Sequence, residues 1–110
     1  MRYKYGNFKR SQIALTKKKI KKEIFFLLLC ADPKTKQIYS HINLSDAFNG
    51  LLYKLDGLNN VMGFPQELVD IVSLLEEALI KWNEPVFDFS VYRRLILNAG
   101  ALTDKIKEED

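Results

Sequence analysis

Four stretches of this chain place apolar residues at intervals of three and four, and proline, glycine or a capping side chain separates each from the next. That pattern constrains the fold more than any single motif. A period near 3.6 gathers such residues on one side of an α-helix, and a helix that is apolar on one side must bury it against another element. The clearest case is Leu68, Val72, Leu75, Leu79 and Trp82, which step by four, three, four and three like the seam of a helix packed against neighbours. Pro65 is placed as the first residue of that helix, with Glu67 and Asp70 in the early turns, where carboxylates favour a helix N-terminus.

The stretch "KKKIKKEIFFLLLC" sets a block of lysines against an apolar run, and a secretion signal has a similar layout. A signal peptide needs an apolar core of about 7–15 residues followed by small residues. Here the run from Ile24 to Ala31 is short, Glu23 interrupts its approach, and Leu29 stands where lipidation of Cys30 would require a small residue. A membrane span needs about 20 apolar residues and is excluded more firmly. Helical spacing explains the same letters. Ile13, Ile20, Ile24, Leu27, Leu28 and Ala31 share one face, and the lysines fall mainly on the others. This predicts a first helix over 11–31, capped by Ser11 and stopped by Asp32-Pro33.

Residues 32–42 read as an ordered loop. Asn43 is then placed to cap a second helix, with Asp46 in its first turn and Leu44, Ala47, Phe48, Leu51, Leu55, Leu58 and Met62 as its stripe. Gly63 and Pro65 end it. Gly50 and Gly57 lie seven residues apart on that helix, each costing about 1 kcal/mol relative to alanine. Their spacing is read as a groove where another helix packs closely, with a kink near "LDGLNN" as the alternative. Pro85 breaks the third helix, and Asp88 or Ser90 caps a fourth, with Tyr92, Leu95, Ile96, Ala99, Leu102 and Ile106 at helical spacing. Gly100 is expected to weaken or divide it. The reading is therefore all-α: a single-domain four-helix bundle over 11–107, a basic aromatic arm at 1–10 and a frayed acidic tail at 108–110.

Composition agrees with one folded domain, at 47% hydrophobic and 28% charged residues in 110. Lysine far outnumbers arginine, as in proteins from low-GC bacteria and their phages. Cys30 is the single cysteine, so no intramolecular disulfide exists, which fits a reducing cytoplasm. It is expected in the core as a small hydrophobe.

The sequence offers little catalytic chemistry. Glu76 and Glu77 are adjacent and point in different directions on a helix, and the lone His41 falls in a loop without a partner carboxylate. There is no Gly-x-Ser-x-Gly turn and no phosphate-binding glycine loop. The expectation is a non-enzymatic protein with no cofactor and no metal site.

Charge distribution points to binding. The net charge is +3, but residues 1–22 carry nine basic side chains and no acid, while the remainder holds all fourteen acids and is net −6. Two poles result. Arg2, Lys4, Lys9, Arg10, Lys17, Lys18, Lys21 and Lys22 are candidate nucleic-acid contacts, since Tyr3, Tyr5 and Phe8 interleave cations with flat rings. Glu67, Asp70, Glu76 and Glu77 are candidate contacts for a basic protein, or a dock for the molecule's own first helix. One of Arg93 and Arg94 is expected to pair with a carboxylate of the third helix. Trp82, Phe87 and Phe89 either pack inside or form a patch for a second copy of the chain. An acidic third helix argues against a helix-turn-helix at "VMGFP".

These features favour a small cytoplasmic protein that binds and modulates a macromolecule, a protein before a nucleic acid, and not a membrane. The alternative is a nucleic-acid-binding regulator that uses residues 1–22. In kind, the chain resembles small accessory proteins of bacterial phages and mobile elements, including immunity proteins and inhibitors of host defence, although no motif carries that resemblance.

Overall fold

The computed structural model of the chain describes residues 10–106, with side chains from 14 onward; most of the basic arm and the acidic tail lie outside this range. Four helices follow in order: α1 (Arg10–Ala31), α2 (Leu44–Met62), α3 (Gln66–Trp82) and α4 (Phe89–Thr103). They form an elongated bundle of 43 × 22 × 20 Å.

Local hydrogen bonds fix most of the ends. Asn43 Oδ1 accepts from the Asp46 amide at 3.1 Å, and Asp88 Oδ1 accepts from the Ser90 and Val91 amides, so Asp88 is the cap of α4. Gly63 closes α2 in the left-handed conformation at φ 78°, and its N–H donates to the Asn59 carbonyl. Two expectations shift by a residue. The first helix already includes Ser11, which therefore lies inside its first turn rather than capping it. Pro65 is extended and precedes α3 instead of opening it.

Phe64 follows Gly63 in the left-handed region at φ 59°, exposed and without glycine's freedom. Phe64→Gly is expected to raise the unfolding free energy by about 0.5–1 kcal/mol, the left-handed penalty less glycine's extra freedom in the unfolded chain. Urea unfolding checks this; a loss of stability would mean that the ring itself contributes packing.

Each helix contributes its stripe to one core. Ile20, Ile24 and Leu27 of α1 meet Phe48, Leu51 and Leu55 of α2, Leu68, Ile71 and Leu75 of α3, and Tyr92 and Ile96 of α4. On α3 the fully buried line is Leu68, Ile71, Leu75 and Ala78, while Val72, Leu79 and Trp82 are only partly covered. The seam is thus turned slightly from the spacing read in the sequence. Cys30 is buried, as expected, and burial pushes its thiol pKa up, which leaves it poorly reactive. Trp82, Phe87 and Phe89 pack inward around Tyr92, with ring centroids 5.3–6.3 Å from it, so they form no separate apolar patch.

Residues 32–42 form a run of tight turns, held by bonds such as Thr35 N–H to Asp32 O and Ile38 N–H to Thr35 O. α4 runs unbroken through Gly100. A Cβ at Gly100 would lie 3.1 Å from the tip of the Phe25 ring, so this glycine marks the close approach of α1 to α4.

The arrangement of the helices decides the electrostatics. α1 packs on α2 and α4, α3 packs on the same two, and no Cα of α1 comes within 8 Å of a Cα of α3 among the described residues. The basic and acidic helices therefore occupy diagonal corners, and the acidic face of α3 does not dock the molecule's own first helix.

Candidate interaction faces

Helical geometry sorts the lysines of α1 by direction. Lys17 and Lys21, four residues apart, point toward the end of α4. Lys17 Nζ donates to the Ile106 carbonyl at 2.8 Å, and Lys21 Nζ pairs with Asp104 at 2.8 Å. These cations sit just past the C-terminus of α4, where its dipole is negative. The Lys21 hydrogen bond holds the Asp104 carboxyl below its usual range. Both side chains are therefore used internally.

Lys18 and Lys22 occupy the next stripe. They are exposed, as is Lys19, and none of the three makes a hydrogen bond or ion pair among the described residues. Lys18, Lys21 and Lys22 border a groove of about 530 Å³ whose wall is Phe25, Phe26 and Leu29. Its rings are fixed from behind. Phe25 rests its tip on Gly100, and Phe26 stands edge-on to Tyr39 at 5.3 Å. The result is an apolar strip with cations along one side, and sequence reasoning missed Phe25, Phe26 and Leu29, which lie in the apolar run from 24 to 31 but off the stripe assigned to the core. Arg2, Lys4 and Lys9 lie outside the described residues, as does the side chain of Arg10.

The opposite corner carries the acids. Glu76 and Glu77 are exposed, whereas Glu67 and Asp70 are half-buried and Asp70 accepts from Gln66 Nε2 at 2.7 Å. Val69, Ser73, Glu76 and Ile80 share one outward line, and Ile80 is 63% and Val69 38% exposed. Arg93 and Arg94 are both exposed, and neither forms an ion pair with α3 among the described residues, contrary to expectation. Lys81, the one cation in the sequence of α3, pairs at 3.0 Å with Glu84, just past the end of the helix.

Gly50 and Gly57 do not mark close packing. An added Cβ at either meets nothing within 4 Å. Both line shallow gaps of about 280 and 290 Å³ between α1 and α2, separated by the Lys54–Glu23 ion pair at 2.7 Å.

His41 is exposed in the loop, and no cluster of three or more His, Cys, Asp or Glu side chains among the described residues could hold a metal ion. No helix among them is long and apolar enough to cross a membrane. No protein-family model matches the chain, and neither a curated protein nor a solved structure does.

Proposed function

We propose that this chain is a small non-enzymatic interaction protein that binds an anionic macromolecular surface, and that the outward face of α1 is its contact element. One observation carries the reading: Lys18 and Lys22 stand exposed and, among the described residues, unpaired beside half-buried Phe25 and Phe26 and exposed Leu29. Lysines without internal partners add nothing to the fold by charge pairing, while beside apolar surface they favour a partner that presents acids around apolar groups. The protein would modulate its partner by covering that surface. Nucleic acid is the second reading, supported by the interleaving of Arg2, Lys4, Lys9 and Arg10 with Tyr3, Tyr5 and Phe8.

One titration tests both. Labelled polyglutamate peptide, single-stranded DNA and duplex DNA are titrated with dilute protein at low and near-physiological salt, and anisotropy is read. Binding of at least one probe is expected, weakening as salt rises. Lys18→Glu with Lys22→Glu should weaken it by about tenfold or more, and Glu76→Lys with Glu77→Lys should leave it intact. Preference for polyglutamate supports the protein reading and preference for DNA the second. No binding of any probe at low salt rejects α1 as an anion-binding face.

A further inference from the structure

The α1 face and the α3 face are complementary in more than charge. Along α1, Lys18, Lys22, Phe25 and Leu29 step by four, three and four. Along α3, Val69, Ser73, Glu76 and Ile80 take the same steps and all four are exposed. At 1.5 Å per residue both lines cover about 16 Å, the contact length of one helix crossing. Laid antiparallel, they place Lys22 opposite Glu76, with Glu77 beside it, and Leu29 opposite Val69. Lys18 then lies over Ile80, where its aliphatic stem covers the side chain and its ammonium reaches Glu77. A parallel alignment would set Lys18 and Lys22 against Val69 and Ser73 and leave Glu76 facing Phe25.

We propose that the α1 face of one copy receives the α3 face of a second copy of this chain. This rests on the reading of α1 as an anion-binding face and names a partner for it. Because α1 and α3 lie at diagonal corners with no Cα pair within 8 Å, the two halves of the contact lie on opposite sides of the molecule. Such a contact is heterologous: it leaves a free α1 face at one end and a free α3 face at the other, so assembly continues past the dimer into a row or closes as a ring. A single helix crossing is small for a stable interface, so the association is weak, concentration-dependent and sensitive to salt.

Sedimentation equilibrium tests this on the full chain. Wild type is expected to rise in average mass with concentration, beyond a dimer, where the Debye length is about 30 Å, and to return toward monomer at near-physiological salt. Lys18→Glu with Lys22→Glu, and separately Glu76→Lys with Glu77→Lys, should each be monomeric, since each makes both faces carry the same sign. Mixed in equal amounts, the two variants should associate again, each supplying the face the other lacks; recovery on mixing also shows that both are folded. A monomeric wild type at every concentration in low salt overturns the proposal, as does association that persists in both variants or fails to recover on mixing. The outcome is separable from the titration above. The α3 variant should keep its binding to anionic probes while losing self-association, and probe binding by a wild type that stays monomeric would overturn this proposal while leaving the wider reading of α1 in place.

Discussion

Tyr92→Ala is expected to lower the unfolding free energy by about 3–5 kcal/mol, or the melting temperature by about 12–20 °C, the largest effect of any single substitution proposed for this chain. Tyr92 is fully buried, and its ring meets Phe48 at 6.1 Å, Trp82 at 6.3 Å, Phe87 at 5.3 Å and Phe89 at 6.3 Å. It joins α4 to α2, to the end of α3 and to the turn between α3 and α4. Its hydroxyl adds a tie to α1 by donating to the Leu27 carbonyl at 2.7 Å. Tyr92→Phe keeps the ring and removes that bond, so its cost should be only about 0.5–1.5 kcal/mol. Urea unfolding of the three proteins separates ring from hydroxyl, and equal losses in the two variants would transfer the main role to the hydrogen bond.

The same pair carries a pH signature. Burial pushes the Tyr92 phenol well above its ordinary value near 10. Below pH 10 the folded and unfolded states both keep the proton, and the shift has no effect. Above it the unfolded chain releases the proton while the native state holds it, so stability falls with a limiting slope of about 1.4 kcal/mol per pH unit. Tyr92→Phe lacks this loss. The stability difference between wild type and Tyr92→Phe should therefore shrink as pH rises above 10, and a difference constant to pH 11 would contradict the burial of the phenol.

Sequence reading recovers what neighbouring residues decide among themselves. Asn43, Asp88 and Gly63 end helices through hydrogen bonds or φ values set within a few residues; Asn43 and Gly63 are found where the letters place them, and Asp88 is one of the two caps they allow for α4. The seam of α3 is harder to read. Ile71, Val72, Leu74, Leu75, Ala78 and Leu79 are apolar around much of the helix, so two adjacent lines fit the spacing. Ile71 and Ala78 win because α2 and α4 flank that side. The candidate face was legible only in part. Nothing in "KKKIKKE" distinguishes Lys17 and Lys21, which hold the end of α4, from Lys18 and Lys22, which face outward; the difference of one position becomes visible only once α4 lies alongside α1. The diagonal placement of the basic and acidic helices follows from chain connectivity and packing, which no local pattern records.

Gly50 and Gly57 show the same limit, and they define the second large effect. Glycine within a helix announces a cost in propensity but not the reason for it, and close packing against another helix was the expectation. In the structure both residues are exposed, an added Cβ meets no heavy atom within 4 Å, and the Lys54–Glu23 ion pair bridges α1 and α2 between the two gaps. Alanine at either position should then gain helix propensity without strain, about 1 kcal/mol each. The two positions are seven residues apart, about 10 Å along the axis, so the gains should add. The double variant is expected to be more stable by about 2 kcal/mol, a rise in melting temperature of about 8 °C. Urea midpoints for both single variants and the double provide the check. Destabilisation by either alanine would mean that α1 approaches α2 more closely than the open gaps allow, and a double variant well short of the sum would mean that the two gaps are coupled through Lys54 and Glu23, the side chains that line both.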